Sequence, residues 1–373
     1  MGREPKKGFG VEAEQVLAFR LARCGLSGRR PRSLAEAAAC PISDFARDAA
    51  LLALAARTRD LSREQYDRAV DSGEIAVAHV VRGAIHALAP GDVPLFGGAL
   101  IAHAEDELAA QLGQQVRRLS AEGGFAVTDA LEEVAAATMD ALARGRRLDK
   151  TQLHEALRQR VRRDLLPWCR NCGSHHVAPM LWRYATVAAG ARLDSRRCYI
   201  RGGRNRTPDA SVAIRRFLGF YGPARPGDFA EWAGLASSHA RRVWDEVAGD
   251  LVEVRVGATK GWLLSEDLSA LESPPAAEGI RLLPPGDPYL QKPNRPLLAP
   301  DPALHKRMFR PVASPGAVLR DGRLAGLWRV KTRGNATEIT VEKLAPLPRR
   351  GLNEEADRVA QLRGSAEAAV VIV

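Results

Sequence analysis

Cysteine, aromatic side chains and long apolar runs are all scarce in this sequence. Five cysteines occur in 373 residues. A count so low, and odd, argues against a secreted disulfide scaffold. No apolar run reaches the length of a membrane span. The opening MGREPKKGFG is charged and lacks the apolar core of a signal peptide. It begins Met-Gly, but Lys6 stands where a myristoylation motif has Ser or Thr. Aromatics make up only 5% of the chain, which disfavours a platform that stacks single-stranded bases. There is no Gly-x-Ser-x-Gly elbow and no phosphate-binding loop. RGGRNR has neither the Gly-x-Gly-x-x-Gly spacing nor a clear strand before it. The expectation is a soluble, cytoplasmic protein with no membrane segment.

Positive charge is what the chain has in excess. Its net charge is +11 and its isoelectric point lies near 9.8. Lys and Arg displace the counterions condensed on nucleic acid, so this balance favours a polyanionic partner. A basic protein from an Arg-rich proteome gives the same balance without ever touching DNA. With 46% hydrophobic residues the chain can build a core, and its length suits two or three domains.

One short cluster raises a metal question. WCRNCGSHHV, residues 168–177, holds Cys169, Cys172, His175 and His176, residue types and spacings that zinc accepts. All four donors would have to come from eight residues, adjacent histidines tend to point apart, and no second Cys-x-x-Cys completes the set. The expectation is therefore no metal and no cofactor. On the alternative reading Ser174 caps a helix running to Gly190. His175 and His176 then lie at a helix N-terminus, where anions bind, and become phosphate contacts.

The chain reads as mainly α with small β-hairpins: three successive helix-plus-hairpin units followed by a β-rich C-terminal domain. The first unit spans 1–123. VEAEQVLAFRLARCG is helical and stops at Gly25, and RDAALLALAARTRD is a second helix. After a turn at Ser72-Gly73, two β-rich runs split at Arg82-Gly83 and end at Pro90. The second unit, 124–206, has a helix from Val127 with Thr128 as N-cap, a helix capped by Asp149, the helix after the cysteine cluster, and a short strand pair in RLDSRRCYI. The third, 207–275, follows a basic loop, RGGRNRTPDAS. It reads helix, short helix, helix, then strand-turn-strand, which is the winged-helix order. In that arrangement the third helix enters the major groove and the wing lies along the backbone. Arg241 and Arg242 sit on the helix, Arg255 and Lys260 on the wing. Residues 276–373 are punctuated by Pro and Gly. They contain a hairpin around Asp321-Gly322, a strand ATEITVEKL, a closing helix and a last strand AAVVIV, as a small barrel or α+β domain.

Several of these stretches resemble one family. VVRGAIHALAPGD is similar to its Arg-Gly-x-x-His strand pair, and RRFLGFYGPARPGDFAEWAGL to its Tyr-Gly-Pro-Ala-x-x-x-Asp-Phe-x-x-Trp-x-Gly signature. VLRDGRLAGLWRVK is similar to its C-terminal Asp-Gly-x-x-x-Gly-x-Trp-Arg hairpin, and GDPYLQKPNR to its Asp-Pro-Tyr-Leu loop. The family is the winged-helix DNA-binding proteins that include the AlkZ-like and YcaQ-like DNA glycosylases. The resemblance runs from about residue 12 to the C-terminus. It implies that the three units are tandem winged-helix units before a β-rich C-terminal domain, with a basic concave surface for duplex DNA, no metal, and hydrolysis of the N-glycosidic bond of bulky alkylated or crosslinked bases; the chain is also expected to be a monomer.

The family's catalytic Gln-x-Gln or Gln-x-Asp lies between the first helix and an Ala/Leu-rich helix ending in Ala-Arg. Here that place reads CPISDFARDAALLALAART, with neither glutamine. Asp44 matches the acidic position and Ile42 stands where glutamine would be; a slip of one residue brings in Ser43 and Phe45. Asp44 is the catalytic candidate and Ser43 the second. Either could instead cap the next helix. Arg82 and His86 match the Arg-Gly-x-x-His motif and share one face if the strand is regular. His86 as a phosphate or water contact competes with a hydrogen-bonded structural histidine. Three functions stay open: a monofunctional glycosylase, a non-catalytic duplex-binding protein such as a regulator or damage-binding factor, and a zinc-dependent module.

Overall fold

The computed structural model describes residues 9–30, 32–46, 48–203, 208–334 and 336–373. The start of the chain and part of the basic loop RGGRNRTPDAS lie outside them. In chain order the main elements begin with β1 (Phe9–Val11), α1 (Ala13–Arg23), β2 (Ile42–Ser43), α2 (Ala49–Ala55), α3 (Arg63–Ser72), β3 (Ala76–His79) and β4 (Ile85–Leu88). Next come α4 (Glu105–Leu112), α5 (Gln114–Gly123), α6 (Val127–Ala141), α7 (Lys150–Arg158), β5 (Trp168–Cys169), β6 (Ser174–His175), α8 (Pro179–Ala188), β7 (Ala191–Leu193) and β8 (Tyr199–Arg201). The last part holds α9 (Ala210–Tyr221), α10 (Pro226–Ala233), α11 (Ser237–Val247), β9 (Leu251–Val256), β10 (Thr259–Leu264), β11 (Ile280–Leu283), β12 (Gly316–Arg320), β13 (Arg323–Arg333), β14 (Ala336–Lys343), α12 (Arg349–Leu362) and β15 (Glu367–Ile372). The fold is mainly α with small sheets and a β-rich C-terminal part, as the sequence leads one to expect.

Contacts sort the chain into two units. One comprises Met1–Asp67, Arg215–Asp228 and Ala248–Val373; the other comprises Arg68–Ile214 and Phe229–Val247. In the first unit, α1 feeds two cores. Val16 and Phe19 join Val11, Val252, Val254, Leu263 and Leu271, while Leu21 and Cys24 join Leu283, Tyr289, Leu319 and Leu327. The helix stops where expected. Gly25 takes φ +75°, its N–H reaches the Ala22 carbonyl, and the Leu26 N–H reaches that of Leu21. This is the paired-bond helix end that a left-handed glycine allows, with Leu21 and Leu26 in one core. β1 adds in parallel to the β9–β10 wing. The C-terminal strands form an open sheet, β11-β12-β13-β14-β15, antiparallel except for the last pair, so this part is α+β rather than a barrel. Asp321 and Gly322 both take positive φ, the backbone that a two-residue hairpin needs.

Two buried arginines bind this unit together. Arg20 lies on the apolar side of α1 and donates to the carbonyls of Gly222, Pro223 and Pro293 and to Asn294 Oδ1. The Tyr-Gly-Pro signature is therefore a docking point for α1. Arg57, just past α2, bonds both carboxylate oxygens of Asp287 at 2.8 Å, the Cys24 carbonyl at 2.7 Å and the Ala53 carbonyl at 2.7 Å. Both partners are about 1% exposed. Burial opposes the Arg57 charge, but the Asp287 carboxylate outweighs it and holds the guanidinium above its ordinary range.

In the second unit the two expected hairpins share one sheet, in the order β4-β3-β7-β8, joined where Val77 meets Leu193. The expectations at Thr128 and Arg82 fail. Thr128 does not cap α6: the residue before the helix is Ala126, and Glu105 accepts from the Val127 and Thr128 N–H groups instead. Arg82 does not lie in a regular strand. It sits at φ +57° in the tight turn between β3 and β4, so alternation cannot put it on a face with His86. Asp149 caps α7 with Gln152 as expected.

Removing one member of the buried Arg57–Asp287 pair strands the other charge. Asp287→Ala should cost about 3–5 kcal/mol in urea unfolding, while Arg57→Met with Asp287→Leu should recover most of it.

Candidate nucleic-acid interface and catalytic segment

Asp44 follows β2 and precedes α2. It is 7% exposed, and its Oδ1 accepts the Ala50 N–H at 3.3 Å. The carboxylate thus meets the positive end of α2. Of the two capping candidates it is Asp44, not Ser43, whose side chain bonds α2. Ile42 is fully buried and only fills the core. Ser43 is half-buried, and Gly286, at φ +87°, leaves its Cβ room that a side chain would cut to 3.2 Å. Phe45 points outward, 79% exposed. Asp48 precedes α2 in a left-handed conformation, pinned by Arg63 at 2.5 Å and Arg363 at 3.1 Å. Asp48 was not legible in the sequence. Its only signal was an acidic residue at a helix start, which is common at surfaces.

The wing carries its charge in a compensated form. Arg255 and Lys260 are cross-strand partners, each more than half exposed. Both reach Glu253, Arg255 at 3.5 Å and Lys260 at 3.3 Å.

In the second unit, α11 buries Ala240, Val243, Trp244 and Val247 on one face and turns Arg241 and Arg242 outward. Arg242 forms a two-pronged pair with Glu107 of α4, both bonds at 2.9 Å. Arg241 is exposed and has no ionic partner among the described residues. The Arg82 stem lies over Gly234, whose φ is +74°; a Cβ there would come within 2.7 Å of Arg82 Cγ. This explains the glycine that closes α10. His86 is 5% exposed, with Nδ1 on the Ala84 carbonyl. Burial pushes its pKa down to about 4, so it is neutral at pH 7. His79 is similar: burial depresses it to about 4, with Nδ1 on the Gly83 carbonyl and Nε2 on the Tyr199 hydroxyl.

His175 and His176 are not at a helix N-terminus. Pro179 opens α8, Ala178 precedes it, and Ser174 is in β6 rather than at a cap. The cysteine stretch is a two-stranded ribbon in which Trp168 pairs with His175 and Cys169 with Ser174. The proline defines the helix start because its fixed φ and missing N–H suit the first helical position. The two histidines do point apart. His175 is exposed, with Nδ1 on the Leu166 carbonyl, while His176 Nδ1 meets the Val177 carbonyl.

The family model for AlkZ-like DNA glycosylases matches residues 43–362. An interstrand DNA cross-link repair glycosylase from Streptomyces sahachiroi is 31% identical over 185 residues, 46% of this chain and 48% of that protein. The chain thus spans about half the length of the curated relative it matches. Among solved structures, the Streptomyces sahachiroi DNA glycosylase AlkZ superposes with a TM-score of 0.74 at 22% identity, covering 98% of this chain and 100% of that one. That likeness is one of fold.

His79 and His86 stay neutral in the folded chain down to about pH 4, whereas the unfolded chain takes up their protons near 6.5. The unfolded state binds more protons in that window, so stability is full above it and is lost as pH falls. Each contributes on the order of 3 kcal/mol across the window. Urea midpoints between pH 7 and 4 should fall, and His86→Gln should flatten the slope by about one proton.

Proposed function

The chain belongs to the AlkZ-like DNA glycosylase family, and on that premise we propose that it binds duplex DNA and hydrolyses the N-glycosidic bond of a bulky alkylated or crosslinked base. The observation that carries this reading is the Asp44 carboxylate. It is nearly buried, oriented by the Ala50 N–H, and flanked by the outward Phe45. A carboxylate held this way does two things. It accepts a proton from water as the oxygen bonds to the sugar C1′, and its charge stabilises the oxocarbenium-like carbon as the bond to the base breaks. The base leaves with the bonding electron pair, and an abasic site remains. No metal or cofactor is required for this chemistry.

The missing glutamines favour a second reading, a duplex-binding protein without catalysis, since Ile42 offers no polar group where the family motif has one. We read the winged-helix units over 1–123, 124–206 and 207–275 as the DNA-facing part, with Arg241 as the phosphate contact least committed elsewhere. Arg82, Arg255 and Lys260 stand behind it. His86, His175 and His176 are weaker candidates, because His86 is neutral and buried and the other two each spend a ring nitrogen on a backbone carbonyl.

Abasic-site formation on duplex DNA carrying a panel of alkylated and crosslinked bases separates the two readings. The wild type should release base, and Asp44→Asn should lower the single-turnover rate by about 10²–10⁴. A wild type inert across the panel sinks the glycosylase reading. Arg241→Ala should weaken duplex binding and reduce the slope of log K against log salt by about 1. Arg242→Ala should change it less, because Glu107 already neutralises that charge.

A further inference from the structure

We propose that Cys169, Cys172 and His176 form a site for one borderline-soft divalent cation, zinc in the cell, at the turn of the β5–β6 ribbon. The expectation from sequence was no metal, on the ground that four ligands could not converge from eight residues. The fold removes that objection by using three. The two thiols and one imidazole nitrogen lie within 4.8 Å of one another. A tetrahedral zinc with bonds of about 2.0–2.3 Å holds such donors roughly 3.5–3.8 Å apart, so a small side-chain rotation closes the set. The backbone suits it. The ribbon register puts Cys169 at the end of β5 opposite Ser174, and Gly173, directly after Cys172, takes φ +59°. This reverses the chain within the turn that separates the two cysteines from His176.

The histidine carries the decisive detail. Its Nδ1 lies 2.8 Å from the Val177 carbonyl oxygen. A carbonyl only accepts, so the ring proton is on Nδ1 and Nε2 bears a lone pair. That Nε2 atom is buried, with no ordinary hydrogen-bond partner among the described residues, and the Cys169 thiol lies beside it. A buried acceptor left unsatisfied is costly. A backbone carbonyl fixing the far nitrogen is also the usual support for a metal-ligating histidine. Two thiolates and an imidazole select zinc over the hard, oxygen-seeking cations. The fourth position faces a cleft of about 250 Å³ lined by Gln115, Trp168, Arg170 and Asn171, from which water supplies the last ligand. His175 is outside the set, being exposed and bonded to the Leu166 carbonyl. Binding releases the thiol protons and fixes the turn in one conformation.

The test uses the full chain, purified without chelator, reconstituted with zinc under reducing conditions and gel-filtered. Elemental analysis should find about one zinc per chain. Cys169→Ser and Cys172→Ser should each lose at least nine-tenths of it and His176→Ala most of it, while His175→Ala and Cys198→Ser should keep it. Replacement by Co(II) should give the thiolate-to-cobalt charge-transfer band of a tetrahedral site. The wild-type cobalt spectrum decides the matter even if a cysteine variant fails to fold. A wild type without stoichiometric zinc and without that band overturns the proposal. So does metal retained in the Cys169→Ser, Cys172→Ser double variant, or a Cys169–Cys172 disulfide that persists under the reducing conditions. Metal content is read without reference to base excision, so the outcome is independent of the glycosylase reading.

Discussion

The buried pair of Arg57 and Asp287 fixes the geometry of the first unit. A guanidinium this deep is tolerated only because its N–H groups are spent on a carboxylate and on the carbonyls of Cys24 and Ala53. Those bonds join the end of α1, the end of α2 and the loop that follows β11. The position of α2 then decides where Asp44 lies, because the Asp44 carboxylate is oriented by the Ala50 N–H of that helix. Through α2, the Arg57 bonds thus tie the loop after β11 to the candidate catalytic carboxylate. Arg20 plays the parallel part for the end of α9, through the Gly222 and Pro223 carbonyls.

The stretches that mark the family are largely structural. Tyr221-Gly222-Pro223 offers carbonyls to a buried arginine, with the Tyr221 hydroxyl on the Pro288 carbonyl. Trp328 donates to the Leu283 carbonyl across the sheet. Gly234 makes room for Arg82. The proposed function rests instead on Asp44, nearly buried beside an exposed Phe45, and on Arg241 on the outer face of α11. The net charge of +11 already subtracts every carboxylate, so ion pairing redistributes the excess over the surface without reducing it. Arg242, Arg255 and Lys260 all face carboxylates, so the net field at the surface depends on which arginines are left over.

Element types were legible because their signals are local. Apolar spacing in VEAEQVLAFRLARCG, glycines at helix ends and Asp321-Gly322 at a hairpin act within a few residues, and each recurs in the structure. The open strand order of the C-terminal sheet and the merging of two hairpins into one sheet were not legible, since strand partners are chosen by contacts far apart in sequence. The cap of α6 failed for the same reason: Glu105 lies 22 residues before Val127 and supplants Thr128.

The sequence by itself determined the helices and hairpins, the excess of basic side chains, the lack of any glutamine beside Asp44, and a family resemblance spread over most of the chain. These depend on residue identity and short spacing. Only the tertiary structure decided what each polar group faces. It made Arg20 and Arg57 core residues and neutralised Arg242 through Glu107. It also buried His86 in its neutral form, and it turned the Cys169–His176 stretch from a presumed helix lead-in into a ribbon with three converging donors. The physical reason is that charge and hydrogen-bonding capacity are set by partners and burial, and both are supplied by segments distant in the chain.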